Sequence, residues 1–209
     1  MRRKNFVLKG AVVFAFSVGS FIGISFQQAN ANVSGETIAI DAGHGGHDNG
    51  ATGHGLYEKE LVYDVAYRTQ QLLEDAGAEV IMTRDGDYFV ELIDRANMAN
   101  DGGADSFVSI HANAASDASV SGTETFHHPS DLEGGSLAAD LQSSMVEEFG
   151  SNDRGVKTAN FSVLRNSDMP AALAELGFVT NQAEADTMLT DAFRNEAANA
   201  IYQGLYEYH

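Results

Sequence analysis

The sequence predicts an α/β domain, with a largely parallel or mixed sheet packed against helices. Two observations carry that prediction. Apolar runs at residues 38–40, 80–82, 107–110 and 171–176 have the length of buried strands, and stretches with helical apolar spacing separate them. Gly-rich or small polar segments follow several of these runs. Strands alternating with helices in this way collect functional loops outside the carboxyl ends of the sheet.

In chain order, Asn32 to Thr37 is a polar lead-in to a first strand, Ile38–Ile40. His44 to Gly55 holds five glycines and reads as loop. A helix follows from Glu58, with Leu61, Val65, Leu72, Leu73 and Ala76 on one face and Gly77 where a C-terminal cap belongs. Val80–Met82 is a second strand, and Thr83–Gly86 a turn. Leu92, Ala96 and Ala99 mark a second helix closed by Gly102 and Gly103, and Phe107–Ile110 is a strand running straight into His111. Ala114 to Gly122 is small and polar, hence loop, and Thr123–His127 suits a strand. Leu137, Leu141, Met145 and Phe149 repeat every fourth residue, a helix that Gly150 ends. Phe161–Leu164 and Ala171–Leu176 read as short strands, with Pro170 between them. Asn181 with Glu184 has the spacing of a capping box, and Phe193, Ala197, Ile201 and Leu205 give a last amphipathic helix.

Residues 1–31 are set apart from the domain. Arg2, Arg3 and Lys4 form a basic start, Gly10 to Phe26 is uncharged and mostly apolar, and Ala29-Asn30-Ala31 is a cleavage pattern, so a signal peptide is expected. Cleavage leaves residues 32–209 as one exported domain, with no further domain expected after it and no stable membrane association. That domain holds eight Lys and Arg against thirty Asp and Glu, a net charge of −22. Such a balance excludes nucleic acid as a partner, since phosphates need a basic surface. The chain has no cysteine, which removes thiolate metal sites, thiol nucleophiles and disulfides.

Four residues carry the chemistry. His44 follows the first strand, Glu58 opens the first helix, His111 follows the third strand, and Glu175 interrupts the apolar run Ala171–Phe178. Two imidazoles and a carboxylate make the open three-ligand set of a catalytic zinc. A further carboxylate suits a general base acting on water. A carboxylate within an apolar run must face a charge, a metal or water. On composition alone, His47, His54, His127 and His128 compete as ligands.

Several motifs resemble one family. Ile40-Asp41-Ala42-Gly43-His44-Gly45-Gly46, Gly55-Leu56-Tyr57-Glu58-Lys59-Glu60-Leu61, Thr83-Arg84-Asp85 and Ser109-Ile110-His111-Ala112-Asn113 are similar to the zinc-dependent N-acetylmuramoyl-L-alanine amidases of bacterial cell walls. So are Arg154-Gly155-Val156-Lys157, Met169-Pro170 and Glu175-Leu176-Gly177-Phe178-Val179-Thr180-Asn181, in the same order to the C-terminus. One departure is Ala42, where the family usually has Pro.

The resemblance implies a single α/β domain with a mixed, roughly six-stranded sheet. It implies that His44, Glu58 and His111 bind Zn2+ and that Glu175 is the catalytic carboxylate, leaving His47 and His54 as loop residues. The expected reaction is hydrolysis of the amide between N-acetylmuramic acid and L-alanine in peptidoglycan, by a secreted or wall-located enzyme. Two alternatives stand beside it: an exported zinc peptidase acting on wall peptides, and a non-catalytic peptidoglycan-binding protein on the same fold. Arg84, Arg95 and Asn113 are polar and near the expected rim, with substrate contact and structural hydrogen bonding equally open.

Overall fold

The computed structural model describes residues 32–209. The expected signal peptide at residues 1–31 lies outside the described residues. The sheet is built from β1 (Thr37–Ala42), β4 (Glu79–Met82), β5 (Ser106–Asn113), β6 (Thr123–His127), β7 (Asp153–Thr158) and β8 (Ala171–Phe178). A two-residue hairpin, β2 (Thr52–Gly53) with β3 (Leu56–Tyr57), sits inside the Gly-rich loop. The helices are α1 (Glu58–Asp75), α2 (Leu92–Asp101), α3 (Leu132–Phe149), α4 (Ser162–Arg165), α5 (Gln182–Met188) and α6 (Asp191–Tyr208).

Strand order is β4-β1-β5-β8-β6-β7. All neighbours run parallel except β6 and β8, so the sheet is mixed and six-stranded, as expected. Helices α1, α3 and α6 cover one face through a large core that takes Ile38, Ile40, Val108, Ile110, Ala172 and Ala174 from the strands. The alternate residues Ala39, Phe107, Ala171 and Leu173 face the other side, under the shorter α2 and α4.

This alternation places the site. Side chains two residues apart share a face of a strand. Asp41 follows Ala39, Ser109 and His111 follow Phe107, and Glu175 follows Leu173, so all four point to the thinly covered face. Because α2 and α4 are short, that face stays open at the carboxyl ends of β1, β5 and β8.

The structure corrects several local expectations. Phe161–Leu164 is not a strand: Phe161 precedes the helical turn α4, which includes Val163 and Leu164. Both edges of β8 are already taken by β5 and β6, so a further strand has nowhere to pair there. Side chains of Asn166 and Ser167 bind the carbonyls of Ser162 and Val163, closing the turn. Strand β7 was not expected, because an edge strand that buries little carries no apolar pattern. Leu72 lies at the margin of its helix stripe and is exposed, and Leu92 is exposed at the mouth of the site rather than in the core. His111 lies within its strand, since β5 runs on to Asn113, and β8 holds Glu175 as expected but runs two residues further, to Phe178.

Candidate metal centre

The turn after β1 is held by two buried arginines. Arg84 donates to the carbonyls of Ala42, Gly43, Gly86 and Lys59, and Arg95 donates to those of Ala42, His44 and Val90. His44 itself adopts a left-handed backbone, φ 61°, a conformation that costs a non-glycine residue unless its surroundings enforce it. The two guanidinium groups are that enforcement. Both were open between structural and substrate roles, and both make structural hydrogen bonds, Arg95 also lining the cleft, while Asn113 donates to Glu124.

His44, Glu58 and His111 converge. His44 Nε2 lies 3.0 Å from Glu58 Oε1, and His111 Nδ1 lies 2.9 Å from the same oxygen. One potential ligand atom from each residue lies within 4.8 Å of the others, so the group can hold a metal ion. Glu58 is oriented by backbone donors, with Ala51 N 2.6 Å from Oε2 and Ala112 N 3.0 Å from Oε1. Two glycines leave room for the group. A Cβ on Gly43 would lie 2.6 Å from His111 Nε2, and one on Gly50 would lie 2.5 Å from Glu58 Oε2.

The donor chemistry fits a cation. Burial disfavours charge on His44, but Glu58 and then Asp48 outweigh it and push its pKa up to about 9. His111 is also raised, Glu58 and Glu175 outweighing burial, while the two imidazoles hold Glu58 low against its own burial. Protons are drawn into the space between three ligands, and a metal ion would replace them there, as metal binding does elsewhere.

Sequence reasoning missed Asp48. Its Oδ2 lies 2.8 Å from His44 Nδ1, leaving Nε2 to face Glu58. A carboxylate on the second ring nitrogen is the usual support of a metal-binding histidine. The signal was an Asp four residues beyond His44, hidden in a loop where Asp also reads as a turn former. The competing histidines stand apart. His47 packs on Phe89, His54 faces the Thr180 carbonyl, His127 faces the Asp131 carbonyl, and His128 pairs with Ser130.

Glu175 is the register partner of His111 across β5 and β8. Its Oε2 is buried and has no hydrogen-bond partner among the described residues. Burial pushes its pKa up to about 7, His111 opposing and Glu58 and Glu124 adding to the rise. That is where a general base at neutral pH should lie. A cleft of about 310 Å³ brings together His44, His111, Glu175, Leu92 and Phe161. A larger groove of about 530 Å³ between α3 and α6 lies on the other face and is walled mainly by acids and amides, without an imidazole or a base near one.

An α/β domain with two imidazoles and a carboxylate at the strand ends, beside a separate carboxyl of raised pKa, has the layout of a hydrolase able to hold a metal. The N-acetylmuramoyl-L-alanine amidase family profile matches residues 38–207. The chain is 43% identical over 185 residues to the uncharacterized protein YqiI of Bacillus subtilis (strain 168), covering 87% of this chain and 89% of YqiI. It is 40% identical over 197 residues to N-acetylmuramoyl-L-alanine amidase LytC of the same organism, covering 92% of this chain but only 40% of LytC's length. The solved catalytic domain of CwlV, an N-acetylmuramoyl-L-alanine amidase from Bacillus (Paenibacillus) polymyxa var. colistinus, matches with a TM-score of 0.79 at 36% identity, covering 83% of this chain and 97% of that one. The chain belongs to the N-acetylmuramoyl-L-alanine amidase family.

Proposed function

We propose that this amidase hydrolyses the bond between N-acetylmuramic acid and L-alanine in peptidoglycan, with zinc held by His44, Glu58 and His111 and with Glu175 as general base. The observation that carries the reading is the convergence of those three ligands beside a buried carboxyl whose Oε2 lacks a partner. A bound zinc supplies a water of lowered pKa and a Lewis acid for the amide carbonyl. Glu58, anchored by two backbone N–H groups, and His44, braced through Arg95 and Asp48, would keep the ligand atoms in place. Glu175 would accept a proton from the attacking water and return it to the departing alanine nitrogen. The apolar side chains of Leu92 and Phe161 would limit water at the mouth of the cleft.

Residues 1–31 are proposed as a cleaved export signal and residues 32–209 as the catalytic domain, acting outside the cell or in its wall. Among the described residues, no helix is long and apolar enough to cross a membrane. Digestion of purified peptidoglycan with and without a chelator tests the reading. Released stem peptides should begin with a new alanine N-terminus, the glycan should stay intact, and chelation should stop the reaction. Cleavage within the stem would make the protein a peptidase, and binding without cleavage would make it a wall-binding module.

A further inference from the structure

We propose that Arg154 and Lys157 form a carboxylate subsite beside Glu175 that reads an acidic second residue of the stem peptide, an inference that rests on the amidase reading above. The two cations belong to the Arg154-Gly155-Val156-Lys157 motif, which the metal centre and the base leave unexplained. They stand on β7, at the edge of the sheet.

The strand register leads from the reacting centre to them. His111 on β5 pairs with Glu175 on β8, and Glu175 pairs with Glu124 on β6. Glu124 is buried and receives Asn113 on one oxygen and both Arg154 and Lys157 on the other. One cation suffices to neutralise one carboxylate, so the second is surplus. Asp64 is also bound by two cations, Arg68 and Arg194, but there Arg68 pairs with Asp191 as well, which restores the balance. Glu124, Arg154 and Lys157 together therefore carry one positive charge, in a domain that is otherwise strongly acidic.

The cations are accessible and incompletely bonded. The side chain of Lys157 is 39% exposed and that of Arg154 28%. Among the described residues, Arg154 Nη2 has no hydrogen-bond acceptor, and Lys157 Nζ bonds only Glu124. An unsatisfied guanidinium edge beside an ammonium suits a carboxylate. An aromatic pair links these cations to the wall of the cleft. Phe161 lines the cleft and packs on Phe126 at 5.4 Å, and Lys157 Nζ lies 5.9 Å from the Phe126 ring.

The span is right for one residue beyond the alanine. Neighbouring strands lie about 4.8 Å apart, which sets the step from Glu175 to Glu124. An extended peptide covers at most about 3.3–3.6 Å per residue, so the alanine and the residue after it together span up to roughly 7 Å, more than one strand step. A free carboxylate on the second stem residue therefore reaches the cations while the alanine amide stays at Glu175. Its amidated counterpart would present a neutral group there and lose the charge-assisted bonds.

Two muramyl-peptide substrates, identical except for a free carboxylate or a carboxamide on the second residue, decide the matter. The acid should be preferred by about tenfold in kcat/KM, mainly through KM, the smaller end of what a hydrogen bond to a charged group supplies. The preference should shrink towards 1 M NaCl, where the Debye length is about 3 Å. Lys157→Gln should bring the ratio near one, and Lys157→Arg should retain it. Equal efficiency on both substrates overturns the subsite alone, as does an unchanged ratio in a folded Lys157→Gln. Cleavage of neither substrate overturns the amidase reading and the subsite with it. Should Lys157→Gln fail to fold, the wild-type ratio and its salt dependence still decide.

Discussion

Two carboxylates flank the strand that carries His111, and their surroundings are opposite. Asp41 on β1 is buried, yet its oxygens receive Thr83, Arg95 and Ser109 at 2.6–2.8 Å. Burial alone would raise its pKa, but Arg95 and then the two hydroxyls hold it below the usual carboxylate range. Glu175 on β8 has an equally buried Oε2 and no donor for it, and its pKa is pushed up to about 7. Burial is common to both, and the supply of donors separates them. The satisfied carboxylate is a strut, and the unsatisfied one is free to take a proton.

The largest expected effect comes from the side with no donors. Glu175→Gln keeps shape but cannot accept a proton, and positioned acid–base catalysis contributes about 10²–10⁴-fold. Wall hydrolysis by the variant should therefore fall by at least two decades, with metal content and folding retained. Loss of the metal would make Glu175 a ligand, and survival of the rate would remove it from the mechanism.

The strut should answer in stability instead. Arg95→Met leaves Asp41 charged, buried and without its cation, and removing one partner of a buried pair costs about 3–5 kcal/mol. Urea unfolding of the metal-free protein measures this. A variant as stable as the wild type would mean that Thr83 and Ser109 suffice, and the contrast drawn above would fail.

The residues proposed to carry the chemistry were legible because each interrupts a pattern. Glu175 is a charge within an apolar run, and His44 and His111 follow apolar runs that would otherwise end in small residues. Their supports were not legible. Asp41 meets Thr83, Arg95 and Ser109 across 42, 54 and 68 residues of sequence, and no local pattern announces such partners. The fold shows the same division. Helices and buried strands follow from spacing, whereas the polar edge strand β7 and the turn α4 depend on which sheet edges are already occupied.

A pH titration sharpens the contrast, because the two carboxylates shift in opposite directions. Glu175's pKa is raised on folding, so the folded state holds its proton between about 4.5 and 7 and loses stability as pH rises through that window. Asp41's is lowered, so its contribution is present above the ordinary carboxylate pKa and is lost only as pH falls through the folded value. Metal-free Glu175→Gln should match the wild type near pH 4.5 and exceed it at pH 8 by up to roughly 3 kcal/mol, at 1.36 kcal/mol per unit. A gap that does not change with pH would mean that Glu175 is not held protonated.

The smallest effect is expected at Asp48, a carboxylate in a third environment. Its side chain is 40% exposed, so solvent screens its charge, and His44 and the Gly50 N–H hold its pKa down against slight burial. It neither braces the core nor takes a proton from substrate, but it fixes which His44 nitrogen faces Glu58. Removing such a partner typically costs 10–100-fold in metal affinity. Asp48→Asn keeps an acceptor for the ring and loses only the charge, which places it at the lower end, about tenfold. Competition for zinc with a chelating dye should show that loss at unchanged stoichiometry. Without the Asp48 charge, the His44 pKa in the metal-free protein should also drop from about 9, as read by NMR titration. A change in the pKa without a change in affinity would assign Asp48 to the proton on His44 and not to the metal.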